Sequence, residues 1–378
     1  MSNPATASFV PSDEVTLFLA GDVMLGRGID QILPHPGDAR LYEPSVTSAI
    51  TYVELAESIN GPIPRPVDFA YVWGEALVAL QDARPDVRIL NLETSITKSR
   101  QPYPKGINYK MNPDNIACLS AMNVDCCVLA NNHIMDWGRS GLMETVETLE
   151  RAQIACVGAG RNAAKAQAPA VLNVGGRASV VVFAFGSSTS GIPRAWAAVG
   201  DRAGVNFLDE SPDRAAASIA AQTRPFRRPS VILVASIHWG NNWGYAVPDQ
   251  QREFAHRLID DAGFHIVHGH SAHHAKAIEV YRERLILYGC GDFIDDYEGI
   301  GGYEGFRADL AVMYLARCSA SRGSVGELRM LPFQIRKFRL NRASKENAEW
   351  LRDTLDRESR KFGTRINIGR NDVLHAQW

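Results

Sequence analysis

Five short apolar segments of this sequence each run straight into residues that bind metal or carry protons. Their ends are Gly21-Asp22, Asn91-Leu92-Glu93, Asn131-Asn132-His133, Ile237-His238-Trp239 and His268-Gly269-His270-Ser271-Ala272-His273. The segments (15–20, 87–90, 124–130, 231–236 and 264–267) are rich in Val, Ile, Leu and Ala, the pattern of strands buried on both faces. Open sheets bind ligands beyond the carboxyl ends of their strands. Five polar ends at the same end of five strands therefore predict one shared site.

Helical patterns separate these strands. Leu142, Val146 and Leu149 recur at i, i+4 and i+7, with Ser140 as the expected N-cap. Similar patterns fall over 73–80, 113–122, 215–221 and 249–262, and a further apolar strand over 179–185. Later, 278–281 and 285–288 read as a hairpin, and 309–316 and 329–339 as strands. Strands alternating with helices, then antiparallel strands, predict an α/β layered fold with a partly parallel sheet. The long irregular stretch 34–66 reads as an insertion over the site. The expected organisation is a polar tail (1–14), one main domain (15–340) and a C-terminal helical extension (341–378) built on the amphipathic pattern of Ala348, Leu351 and Leu355.

With 46% hydrophobic and 22% charged residues, the composition is that of a soluble globular protein. A net charge of −2 and the lack of basic runs argue against a nucleic-acid partner. No apolar stretch is long enough for a membrane segment. Residues 1–14 lack the features of a secretory signal, so a cytoplasmic location is expected. Six cysteines without a CxxC pair read as small buried hydrophobes in a reducing compartment.

The residue types at the segment ends predict a ligand set. Asp22 and Glu93 offer carboxylate oxygens, Asn132 an amide oxygen, and His238, His270 and His273 imidazole nitrogens. A mixed N/O set without thiolate suits a divalent ion such as Mn, Fe, Zn, Co or Ca. A single strand-end histidine is usually a packing residue; six candidate ligands at five strand ends reverse that expectation.

As an ordered series, the stretch Gly21 to Arg27, Asn91-Leu92-Glu93, Ala130 to Gly138, His238-Trp239-Gly240 and Gly269 to His273 resembles the motifs of the CapA family. That family is named for poly-γ-glutamate capsule synthesis, and its fold is similar to calcineurin-like metallophosphatases. The resemblance spans Val15 to Tyr297. It implies an α/β/β/α arrangement, two central sheets flanked by helices, around a metal site. Against the metallophosphatase motifs, Asp22 matches the first aspartate, and Glu93 stands where the bridging carboxylate would be. Asn132 and His133 match the Asn-His pair, His238 the lone histidine, and His270 with His273 the last motif. Two positions depart: Met24 replaces a histidine, and His270 and His273 are separated by two residues instead of one. The resemblance therefore implies one well-supplied metal position, through Glu93, Asn132, His238 and His270, and a thinner second at Asp22 and His273. Thinning would free Asp22 for proton transfer, with His133 and Asp295 as the other acid/base candidates.

The chain also resembles the lasso-peptide epimerase branch of this family, which inverts a peptide Cα centre with a metal and acid/base groups. The expected function is accordingly a metal-dependent peptide epimerase. The alternatives are a CapA-type hydrolase of a polyglutamate-like amide or capsule-synthesis component, and a metallophosphoesterase. Arg27, Lys105, Tyr109 and Lys110 could hold a substrate carboxylate, and Trp239, Trp243 and Tyr245 could wall a peptide pocket. A leader-binding or synthesis-pathway protein is the implied partner.

Overall fold

Alternation along the strand Ala178–Gly186 sets the layering. Successive side chains of a strand point to opposite faces. Val180, Val182 and Ala184 join one core, while Val181, Phe183 and Phe185 join another. The neighbouring strand Val231–His238 divides in the same way: Ile232 and Val234 face the first core, Leu233, Ala235 and Ile237 the second. The second core is closed by the apolar faces of the helices Pro212–Thr223 (Ala215, Ala216, Ile219) and Asp249–Asp260 (Phe254, Leu258, Ile259). The first core is shared with a larger sheet. The computed structural model, which describes residues 13–378, is thus two sheets packed face to face with helices outside. This is the metallophosphatase-like α/β architecture expected from the motifs. The expected polar tail falls almost wholly outside the described residues.

The strand Glu14–Val23 is central to the larger sheet. It lies parallel to Val87–Leu92, beyond which come Cys126–Val128 and Ala155–Val157. On its other side Leu310–Ser319 runs antiparallel and pairs with Val325–Ile335. The short strand Asp292–Ile294 also pairs with Glu14–Val23, in parallel. The smaller sheet has the order Ile278–Tyr281, Arg284–Leu287, Ile266–His270, Val231–His238, Ala178–Gly186, Ala170–Val174. Trp73 packs helical pieces onto the larger sheet. Its indole N–H donates to the Cys118 carbonyl at 2.7 Å, and its ring stacks on Phe293.

Four elements differ from expectation. Ala170–Val174 forms a hairpin with the next strand, although only its two end residues are buried and so no apolar run marks it. The helix Lys345–Ser359 is followed by strands Arg365–Ile368 and Leu374–Gln377, which extend the larger sheet's edge; the second has one buried residue. The helix expected to have Ser140 as its N-cap starts at Gly138 instead, and the Ser140 hydroxyl donates to the Trp137 carbonyl from within the first turn.

Candidate metal centre

Sheet register assembles the site. Asp22 is paired with Asn91 on one neighbouring strand and with Asp292 on the other. In the smaller sheet His238 is paired with His270, and Ser236 with His268. Gly21 permits the close pass beside Asp292: a Cβ there would lie 1.9 Å from the Gly291 carbonyl oxygen, which instead accepts the Asp22 N–H at 3.0 Å.

Asp22 is buried and oriented from both sides. Its Oδ1 accepts the Asn91 amide at 2.7 Å, and its Oδ2 accepts the Ser271 N–H at 3.1 Å. Ser271 holds a φ of 105°, outside the range that residues with a side chain favour. Such strain costs about 1–3 kcal/mol and collects at functional sites. Asn131 continues the scaffold. Its amide donates to Asn91 Oδ1 at 3.0 Å, and its Oδ1 accepts the N–H groups of His133 and Ile134.

Two donor groups result. Asp22, His238 and His270 place one ligand atom each within 4.8 Å of one another, and so do Asp22, His273 and Asp292. Asn132 Oδ1 lies 2.9 Å from His238 Nε2, and Glu93 Oε1 lies 3.7 Å from the same nitrogen. A hydrogen-bond chain fixes the His270 ring. His268 Nε2 lies 2.9 Å from the Ala20 carbonyl, which can only accept. His268 Nδ1 therefore accepts from the Ser236 hydroxyl (2.9 Å), whose oxygen accepts from His270 Nε2 (3.0 Å). The lone pair of His270 Nδ1 is left pointing toward His238 Nδ1 at 2.8 Å and Asp22 Oδ1 at 3.7 Å. Orientation of a ligating imidazole through its other nitrogen is how metal-site histidines are held.

Burial pushes the Asp22 carboxyl up to about 7, with the charge of Asp292 adding to it. Glu93 is raised well above its ordinary value by burial and then by Asp22 and Asp292. Asp295 is raised by burial and by Asp292. Burial lowers His238 and His270. His273 loses hydration on burial, yet is held above its ordinary value by Asp292, which its Nδ1 meets at 2.9 Å. Buried carboxylates and imidazoles crowded in this way fit a divalent cation, which would offset their mutual repulsion.

The geometry revises the expected division of labour. Asp22 belongs to both donor groups and does not stand free of them. Asp292, which the motif comparison passed over, completes the group with His273. Met24 contributes nothing to the cluster; its sulfur accepts the Gly26 N–H at 3.2 Å. Ser236 was also missed, and His268, named at the same strand end two residues before His270 and so on its face, was given no role.

A cleft of about 1150 Å³ opens over the cluster, with Asn132, His133, His273 and Asp295 among its lining. His133 Nδ1 lies 2.7 Å from Asp136 Oδ2, and its ring stacks on Tyr109 at 3.8 Å. Burial lowers His133 to about 4. Asp295 Oδ1 accepts the Tyr297 N–H at 2.7 Å, whereas its buried Oδ2 has no partner among the described residues. Trp243 lines the cleft and stacks on Tyr303 at 4.0 Å. Ile59, Ile107, Ile300 and Tyr303 are exposed and also line it.

Other expected substrate contacts are spent elsewhere. Arg27 borders the cleft, but its guanidinium is bonded to Asp296 and Glu43 and covered by the Tyr52 ring at 3.7 Å. The Lys105 ammonium lies 2.7 Å from Asp136 Oδ1. Lys110, Trp239 and Tyr245 do not line the cleft. Lys110 sits over the Trp137 ring, Trp239 donates its indole N–H to the Tyr288 carbonyl, and Tyr245 packs on His274 and Phe306.

Fold and donor cluster together define a metallophosphatase-like protein of the CapA type. The chain belongs to the family described as bacterial capsule synthesis protein PGA_cap, whose model matches residues 16–297. A probable polyglutamine synthesis accessory protein of Mycobacterium tuberculosis is 48% identical over 366 residues, covering 96% of each chain. The PGA biosynthesis protein CapA of Bacillus subtilis is 27% identical over 286 residues, covering 75% of this chain and 64% of its own. The capsule biosynthesis protein CapA of Bacillus anthracis is 23% identical over 285 residues, covering 75% and 61%. These names speak of capsule and polyglutamine synthesis and do not extend to the expected peptide epimerase. Among the described residues no helix is long and apolar enough to cross a membrane.

Proposed function

We propose that this chain is a metal-dependent amide hydrolase that trims a glutaminyl polymer as an accessory to the polymer's synthesis. One observation carries the reading: the donor cluster lies under a large cleft in which three of the four lining Arg and Lys side chains are paired with acids, while the fourth, Arg336, donates to the Asn60 amide oxygen at 3.1 Å. Arg27 and Lys105 are bound to acids, and Arg307 is bound to Asp309 at 2.7 Å. A polyanion would find few free cations there, whereas an uncharged amide chain meets aromatic and amide groups such as Trp243, Tyr109, Asn132 and Asn242. The name of the Mycobacterium relative agrees with this choice.

A divalent ion held by Asp22, Glu93, Asn132, His238 and His270, with Asp292 and His273 beside them, would polarise the scissile carbonyl and lower the pKa of a bound water. The chain's own residues supply the proton carriers. His133 donates an Nδ1–H hydrogen bond to Asp136, so its Nε2 lone pair can accept a proton. Burial and Asp292 shift Asp295 toward its protonated form, in which its Oδ2, without a partner among the described residues, would donate to the leaving amine. Arg27 and Lys105 position the walls around them.

The test is incubation of Mn²⁺- or Zn²⁺-loaded protein with glutamine oligomers, poly-γ-glutamate and phosphoesters in deuterated water, read by mass spectrometry. Cleavage of the glutamine oligomer is expected. Cleavage of poly-γ-glutamate alone would overturn the substrate choice, and turnover of phosphoesters alone would overturn the reading. Peptide Cα epimerisation remains the second reading, because His133 and Asp295 line the same cleft as two separate proton carriers. It would show as mass gain without cleavage.

A further inference from the structure

The strand Val231–His238 ends at the donor cluster and begins at a second pocket, about 23 Å away at 3.3 Å per residue. This pocket, of about 480 Å³, is lined by Arg227, Arg228, Arg282, Arg284 and Arg322, with Asp260 as its one carboxylate. Asp260 is taken: its oxygens accept from Arg282 at 2.8 Å and from the Tyr281 hydroxyl at 2.9 Å. Arg227 donates only to neutral oxygens, of Thr223 and Ala220. Arg284 donates one nitrogen to the Arg322 carbonyl at 3.0 Å, and its Nη1 is buried without a partner among the described residues. The guanidinium groups of Arg228 and Arg322 make no hydrogen bond or ion pair among the described residues. Glu283 beside Arg284 and Asp13 beside Arg322 offset part of the charge and leave a positive surplus.

The pocket is built and not merely a patch of surface arginines. His265 lines it, with Nδ1 accepting the Leu233 N–H at 2.8 Å. Gly323 has a φ of +64° and lies so close that a Cβ would stand 2.1 Å from the His265 ring. The turn carrying Arg322 is thereby pinned against His265, just before the strand Ile266–His270, and against the strand that begins at Arg284.

We propose that this pocket binds a small oxyanion ligand carrying two or more negative charges, a phosphate ester or an oligocarboxylate. Guanidinium groups pair with such oxygens in bidentate fashion, and a divalent anion would relieve the mutual repulsion of the unpaired arginines. The site is separate from the candidate metal centre and does not depend on the reaction proposed there.

The probes are inorganic pyrophosphate and citrate, titrated calorimetrically into the full chain and into an Arg228→Ala/Arg322→Ala variant. Both positions are exposed, so the fold should be retained, which thermal unfolding checks. The difference between the proteins is read, because both probes also meet divalent ions. Loss of two charge-assisted pairs should weaken binding by about tenfold or more, and added salt should shrink the difference. Weakening for pyrophosphate alone assigns a phosphate ligand, and for citrate alone a carboxylate ligand. Absence of binding by either probe, or equal binding by both proteins, overturns the proposal.

Discussion

Replacing Asp22 with Asn should stabilise the metal-free protein at pH 8. An aspartate has an ordinary pKa near 3.9, and Asp22 in the fold is pushed up to about 7 by burial and by Asp292. A carboxyl raised on folding resists ionisation, so the fold loses stability as pH rises from about 3.9 to about 7 and the loss is complete above that. At 1.36 kcal/mol per pKa unit the penalty at pH 8 is roughly 4 kcal/mol, falling to roughly 1.5 kcal/mol at pH 5. The substitution removes this penalty but not without cost. Asp22 accepts from both Asn91 and Ser271, and an amide oxygen replaces only one of the two acceptors, losing about 1–2 kcal/mol. The net expectation with chelator present is a gain of about 2–3 kcal/mol at pH 8 and close to none at pH 5, measured by urea unfolding. With a divalent ion in excess the sign should reverse, because the variant lacks a ligand common to both donor groups. A chelated variant no more stable than the wild type at pH 8 would refute the reasoning.

Three other substitutions probe separate parts of the molecule. Trp243→Ala removes a cleft wall and its stack on Tyr303; in steady-state assays KM for the polymer should rise about 5- to 10-fold, as expected for about 1–1.5 kcal/mol of aromatic contact, with kcat little changed. Asp136→Asn leaves His133 and Lys105 without their carboxylate partner; kcat/KM should fall about 10- to 100-fold, the usual cost of losing a residue that orients another, while metal content by elemental analysis stays the same. Trp73→Ala opens a cavity at a fully buried site and orphans the Cys118 carbonyl; urea unfolding should report a loss of about 3–5 kcal/mol.

The sequence shows the site wherever chemistry is bound to a strand end. Asp22, Glu93, Asn132, His238, His270 and His273 were legible because a buried apolar run cannot continue into polar residues without a reason. Asp292 was harder to find. Its strand is only three residues long and joins the sheet by pairing with Asp22 and Val23 from the far side, a tertiary fact with no local signal. Ser236 lay hidden in the middle of an apolar run, and its role emerges only from the register that sets it beside His268 and His270. The C-terminal strands were lost for a different reason: edge strands bury little, so their residues need no alternating pattern.

Charge is where the sequence misleads most, and in both directions. Arg27 and Lys105 follow recognised motifs and look available to a substrate carboxylate, yet each is held by an acid from elsewhere: Arg27 by Glu43 and by Asp296, 269 residues on, and Lys105 by Asp136. Arg228, Arg284 and Arg322 form no run, and the sequence therefore argued against a basic patch; folding brings them, with Arg227 and Arg282, to one pocket where arginines outnumber the nearby acids. A residue's capacity to bind an anion depends on what charge remains after its neighbours are counted. By that measure the cleft over the donor cluster favours an uncharged chain, and the far end of the smaller sheet favours an anion, the opposite of what counting cations near the motifs suggests.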